Sequence, residues 1–157
     1  MSNSDLWVLP LQGDEEPIEL SATEFNEWGA QISSDGRWIA FQSDESGRPE
    51  IYVTSFPKPG RKWQVSTGGG VQPRWRGDGR ELYYLTPTAS LMVAAVDPSE
   101  SGFKIGELEE LFDAPRMPVG SFNYDVTSDG ERLLIDTVGD SAFEPITLVV
   151  NWTAELE

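Results

Sequence analysis

The chain has 157 residues, a formal charge of −16, and neither cysteine nor histidine. A compact chain of this size buries about 70% of its unfolded surface, so it needs no covalent staple. The missing residue types exclude disulfides, thiolate metal sites, a cysteine nucleophile, a Ser-His-Asp triad and most zinc chemistry within the chain, while the charge disfavours nucleic acid and anionic membranes as partners.

The first residues, Met1-Ser2-Asn3-Ser4-Asp5, are polar and precede a short apolar run, Leu6 to Leu11, interrupted by Pro10. This run is too short for a membrane anchor and lacks the form of a signal peptide, so no membrane insertion is expected. The default location is cytoplasmic, or periplasmic if the chain is an excerpt of an exported protein. Six tryptophans, glycine and proline at turn positions, and almost no 3.6-residue periodicity predict an all-β protein.

Asp5 to Leu11 and Pro17 to Leu20 read as the third and fourth strands of a unit that lacks its first and second. The next unit is complete, with strands predicted at Ala30 to Ser33, Trp38 to Gln42, Ile51 to Phe56 and Trp63 to Ser66. Another follows at Pro73 to Arg76, Glu81 to Leu85, Leu91 to Val96 and Glu109 to Phe112. The last unit supplies Tyr124 to Thr127, Arg132 to Val138 and Ile146 to Trp152, with no fourth strand.

The unit boundaries rest on a repeat. Ser34-Asp35-Gly36-Arg37-Trp38-Ile39-Ala40-Phe41 returns as Gly77-Asp78-Gly79-Arg80-Glu81-Leu82-Tyr83-Tyr84, and again as Ser128-Asp129-Gly130-Glu131-Arg132-Leu133-Leu134-Ile135, at spacings of 43 and 51 residues. A second anchor, Asp5-Leu6-Trp7-Val8, matches Glu50-Ile51-Tyr52-Val53, 45 residues on. Periods of this size mark blade-like repeats. The second strands are apolar at nearly every position, so both their faces must be covered. Four-stranded antiparallel sheets stacked around an axis meet that demand, whereas a two-layer sandwich leaves one face polar. The expected architecture is therefore a β-propeller segment: an incomplete blade over 1–24, blades over 25–67 and 68–114, and an incomplete blade over 115–157.

These residues resemble the repeat of TolB-like, WD-like β-propellers, over almost the whole chain. Lys62 to Gly70 and Pro145 to Trp152 further resemble the C-terminal ends of such propellers appended to bacterial serine/threonine kinases. The family repeat usually reads Ser-Pro-Asp-Gly, and Ser34, Gly77 and Ser128 stand where its proline would be. The resemblance implies a six-bladed ring that binds proteins or peptides, sometimes sugars, and implies no catalytic residue. Six such units need roughly 260 residues, so the chain would supply three to three and a half blades.

The recurring Asp35, Asp78 and Asp129 are expected to hold their own turns and to lie spread around one rim. Ser43 to Gly47 and Gly13 to Glu16 lack calcium-loop spacing and read as solvated acidic hairpins. Gly68-Gly69-Gly70 has no following helix or lysine for a phosphate loop, and reads as a flexible link between units. No Gly-x-Ser-x-Gly elbow is present, and the acceptor-like Asn151-Trp152-Thr153 ends a predicted strand. Trp38, Phe41, Trp75, Tyr83 and Tyr84 recur from unit to unit and are assigned to the core.

Loops leading from a fourth strand into the next first strand ring one mouth of a propeller channel. They carry Trp28, Gln31, Gln72, Arg74, Arg116, Asn123 and Tyr124, aromatic faces mixed with directional donors, as a ligand site requires. The competing expectation is that Trp28 and Tyr124 wedge neighbouring blades while the arginines pair with carboxylates.

The function expected from all this is a non-catalytic scaffold for a protein or peptide partner, or the sensor part of a signalling protein. It would need no cofactor and no metal, and would work as part of a longer chain or as a homo-oligomer whose dimer completes a ring. The alternatives are an accessory propeller of a peptidase or sugar-acid lyase with catalysis supplied elsewhere, and a gene fragment without an independent role.

Overall fold

A computed structural model describes residues 4–99, 102–114 and 123–137. These residues form strands and turns with no helix, hence none able to cross a membrane. The strands are β1 (Leu6–Val8), β2 (Ile18–Ser21), β3 (Glu27–Ile32), β4 (Trp38–Ser43), β5 (Glu50–Ser55), β6 (Trp63–Gln64), β7 (Val71–Trp75), β8 (Glu81–Leu85), β9 (Ser90–Ser99), β10 (Gly102–Asp113), β11 (Tyr124–Val126) and β12 (Leu133–Ile135). They make two four-stranded antiparallel sheets, β3-β4-β5-β6 and β7-β8-β9-β10, flanked by the two-stranded sheets β1-β2 and β11-β12.

The unbroken apolar character of the second strands has the expected cause. In β8, Leu82 and Tyr84 face one cluster with Trp38, Ala40, Ile51 and Val53 of the preceding sheet. Tyr83 and Leu85 face a second cluster with Tyr124, Leu133 and Ile135 of the following one. Adjacent residues of one strand point to opposite faces, so a strand between two cores must be apolar throughout. The aromatic residues concentrate in the first cluster, where Trp38 meets Trp63 edge-on at 5.6 Å and Phe103 at 5.2 Å.

Strand limits depart from expectation where local geometry breaks alternation. The first strand of each four-stranded sheet, termed inner because it adjoins the first strand of the next sheet, begins earlier, at Glu27 and Val71, because each carries a bulge, between Trp28 and Gln31 and between Val71 and Arg74. Gly29 (φ 62°) and Gln72 (φ 57°) occupy the left-handed position of these two bulges, and the extra residue erases the period-2 signal. The outer strand β6 is shorter than predicted because Ser66 leaves the ladder: its hydroxyl, not its main chain, accepts from the Ile51 amide at 2.8 Å. By contrast β9 and β10 run well beyond the predicted Leu91 to Val96 and Glu109 to Phe112. The expected third strand Ile146 to Trp152 lies outside the described residues.

The repeated turn is built alike three times. Gly36, Gly79 and Gly130 have φ of 68°, 71° and 74°, and each donates its amide to the residue three back, Ser33, Arg76 or Thr127, at 2.9 Å. Each aspartate accepts from the amide two residues on: Asp35 from Arg37 at 3.1 Å, Asp78 from Arg80 and Asp129 from Glu131 at 3.0 Å. The turns also touch one another. Ser34 donates its hydroxyl to the Gly77 carbonyl, and the Gly77 amide donates to the Ser128 carbonyl at 3.0 Å. A Cβ at Gly77 would lie 2.5 Å from that carbonyl oxygen, which accounts for glycine where the other units have serine.

Candidate functional site

The inner strands β3, β7 and β11 are joined side by side through their own side chains. In β3, the Gln31 side-chain oxygen accepts from the Trp75 amide at 2.8 Å, and the Gln31 carbonyl accepts from Trp75 Nε1 at 3.0 Å. One unit on, Gln72 donates through Nε2 to Asn123 Oδ1 at 2.9 Å and accepts the Asn123 amide on Oε1 at 2.8 Å. The Tyr124 hydroxyl donates to the Gln72 carbonyl at 2.7 Å. A left-handed glutamine costs of order 1 kcal/mol; in β7 the conformation aims both ends of the amide and the carbonyl at one neighbouring strand.

Arg74 lies beside this latch. Its Nη1 donates to the Pro73 carbonyl at 3.0 Å, its Nε stands 3.5 Å from Asp125 Oδ1, and its guanidinium sits 6.0 Å from the Tyr124 ring centroid. Tyr124 is buried, and burial pushes its phenol well above the ordinary value, so it acts as a neutral donor.

Gln72, Arg74, Asn123 and Tyr124 are thus brought together, at the seam between the third unit and the last. Gln31 serves the corresponding seam one unit earlier, with Trp75. Trp28 is half-buried in β3 opposite Gln42 and apart from both. Arg116 lies outside the described residues. Tyr124 thus touches Gln72 of the neighbouring strand, and Arg74 stands beside a carboxylate, Asp125.

Three further residues matter that the sequence does not point to. Asp125 completes the group around Arg74, and its signal is the repeat itself: pairing of Gln31, Arg74 and Asp125 with Ala40, Tyr83 and Leu134 makes the three equivalent. The others are the buried carboxylates Glu50 and Glu27, each 1% exposed. Glu50 accepts from Arg48 Nε at 2.8 Å, from the Gly69 amide at 2.9 Å and from the Ser66 hydroxyl. Glu27 accepts from Thr23 Oγ1 at 2.5 Å, and its other carboxylate oxygen has no hydrogen bond among the described residues. Glutamate in a strand next to apolar residues gives no sequence cue that it is buried.

The glycine run is a link between units, but it is pinned rather than flexible. Gly69 and Gly70 are buried; the Gly70 amide donates to the Pro49 carbonyl at 2.9 Å, and a Cβ there would fall 2.5 Å from Ser66 Oγ and 2.8 Å from Ile51 Cγ1. The acidic hairpin at Asp44 is also partly structural, since its carboxylate accepts the Asn26 amide at 2.9 Å and Nδ2 at 2.7 Å. Those bonds hold the Asp44 carboxyl below its usual value. Among the described residues no three carboxylates converge on a point where a cation could be held.

No family model matches the chain, and no curated protein matches it.

Proposed function

We propose that the chain is a segment of a β-propeller that works as a non-catalytic binding module for a protein or peptide partner. The observation that supports this most is the burial of β8 on both faces by neighbouring units of equal register, with successive inner strands latched edge to edge. Such stacking commits the buried polar groups to holding units together and leaves loops and strand edges as contact surface. Arg74 and Asp125 at the last seam, with Trp28 further along the row on β3, are the candidate contact residues.

The end sheets favour association with a second copy or continuation of the ring in a longer chain. Trp7, Leu9 and Leu11 on or beside β1 are 52%, 64% and 97% exposed, and Leu134 of β12 is 75% exposed, an apolar surface that water disfavours. Light scattering of the full chain tests this, with a stable monomer at high concentration counting against self-association.

Panning a random peptide library on the immobilised full chain tests the binding reading. Recovery of peptides that bind in solution supports it, and loss of that binding in the double variant Trp28→Ala, Arg74→Lys assigns it to the inner row. A chain that recovers no peptide is not a peptide-binding module.

A further inference from the structure

The outer edge of the second sheet is built differently from that of the first. β6 is two residues long and follows Pro57, Lys58, Pro59, Arg61 and Lys62, a short edge rich in proline and positive charge. Arg61 covers Trp63 at 5.5 Å, and Lys62 pairs with Glu45. These are the usual guards against pairing with a foreign strand. β10 has twelve residues, no proline, and among the described residues no strand on the side away from β9.

An edge strand in an antiparallel sheet directs about half its main-chain donors and acceptors away from its neighbour. Along β10 these lie beside Glu107, Leu108, Glu109 and Glu110, all exposed. None of the three glutamates forms an ion pair among the described residues, whereas Arg37, Arg48, Lys62, Arg74 and Arg76 all do. Leu108 (41% exposed) and Phe112 (37% exposed) add apolar surface on the same strand.

We infer that β10 is a docking edge for an extended, lysine- or arginine-rich segment of a partner protein, which adds as a fifth strand of this sheet. The inference rests on the reading of the chain as a binding module and identifies the chemistry of its partner. Main-chain bonds hold the segment, and cationic side chains at alternate positions lie beside Glu107 and Glu109, while Glu110 on the opposite face adds to the negative charge of the edge. A second copy of the chain is a poor occupant. Two β10 strands paired about a two-fold axis would set the glutamates of one against those of the other, and like charges directly opposite destabilise a ladder. The register shifts between Ile105 and Leu108 and between Glu110 and Phe112 divide the edge, so the contact is short and its strength leans on charge.

Fluorescence anisotropy of the full chain with a labelled peptide alternating lysine and valine tests this against the same peptide N-methylated on alternate residues. The two have equal charge, but the second cannot complete a ladder. Binding of the first alone is expected, weakened about tenfold by Glu107→Gln, Glu109→Gln, Glu110→Gln together and by raised salt. Equal binding of both peptides would mean adsorption by charge only and overturns the inference, as does failure of the first to bind. Binding lost in Trp28→Ala, Arg74→Lys but kept in the triple glutamine variant also overturns it, while leaving the binding-module reading in place.

Discussion

The sheets β3-β6 and β7-β10 share pairing register, inner-strand bulge and turn, yet the bulge residue is glycine in one and glutamine in the other, and the outer half is longer in one, with six and two residues in β5 and β6 against ten and twelve in β9 and β10. What is common sits where both faces are packed; what differs sits at the seam and the outer edge. Packing between units therefore dictates the middle of each sheet, and its margins are free to take on separate tasks.

The largest test of that division is at the link between the two sheets. Gly70→Val places methyl groups against Ser66 and Ile51, with an expected loss of about 3 kcal/mol in urea unfolding. An unchanged unfolding midpoint would mean that the link is loose after all. Next is Glu50→Ala, which strands the Gly69 amide and Ser66 hydroxyl in a buried site and should lower stability by about 2 kcal/mol.

Exchanging the bulge residues sharpens the comparison further. Gln72→Ala keeps the left-handed strain and loses both side-chain bonds to Asn123, with an expected cost of about 2 kcal/mol. Gln72→Gly relieves the strain and should cost only about half as much. Gly29→Ala, which adds strain with no latch to gain, should cost about 1 kcal/mol. If Gln72→Gly is less stable than Gln72→Ala, the strain assignment is wrong.

The smallest effect belongs to the turns. Hydrogen bonds from Thr127 and the Glu131 amide hold the Asp129 carboxyl below its ordinary value. A lowered folded-state pKa means stability that is present above the unfolded value of about 4 and lost as pH falls through the folded one. Asp129→Asn should thus flatten a small part of the stability decline below pH 4 and leave neutral pH nearly untouched. A slope below pH 4 identical to that of the parent chain would show the turn contributing nothing.

The sheets are legible in the sequence because two-sided burial writes an apolar run into β4 and β8, and because Asp-Gly turns repeat at fixed spacing. Both strands lie within a residue of their expected limits. The bulges are not legible, since Gln72 looks like any polar strand residue and its φ answers to Asn123 and Tyr124, 51 and 52 positions away. The same distance hides the site. Gln72, Arg74, Asn123 and Tyr124 stand out in the sequence as a mixture of rings and donors, but whether such groups face a neighbour or a void is decided by partners 51 and 52 positions away. The length of β10 is hidden because only Glu109 to Phe112 read as strand while Gly106 and Glu107 interrupt the apolar pattern before them, and glutamate is tolerated there only because one side of the strand meets no other strand among the described residues.

Because β8 takes one half of its core from the sheet before it and the other from the sheet after, no single sheet owns a hydrophobic interior. The smallest cooperative folding element is then a pair of sheets, and hydrogen exchange at Ala40 in β4 and Tyr84 in β8 should report one shared opening event rather than two.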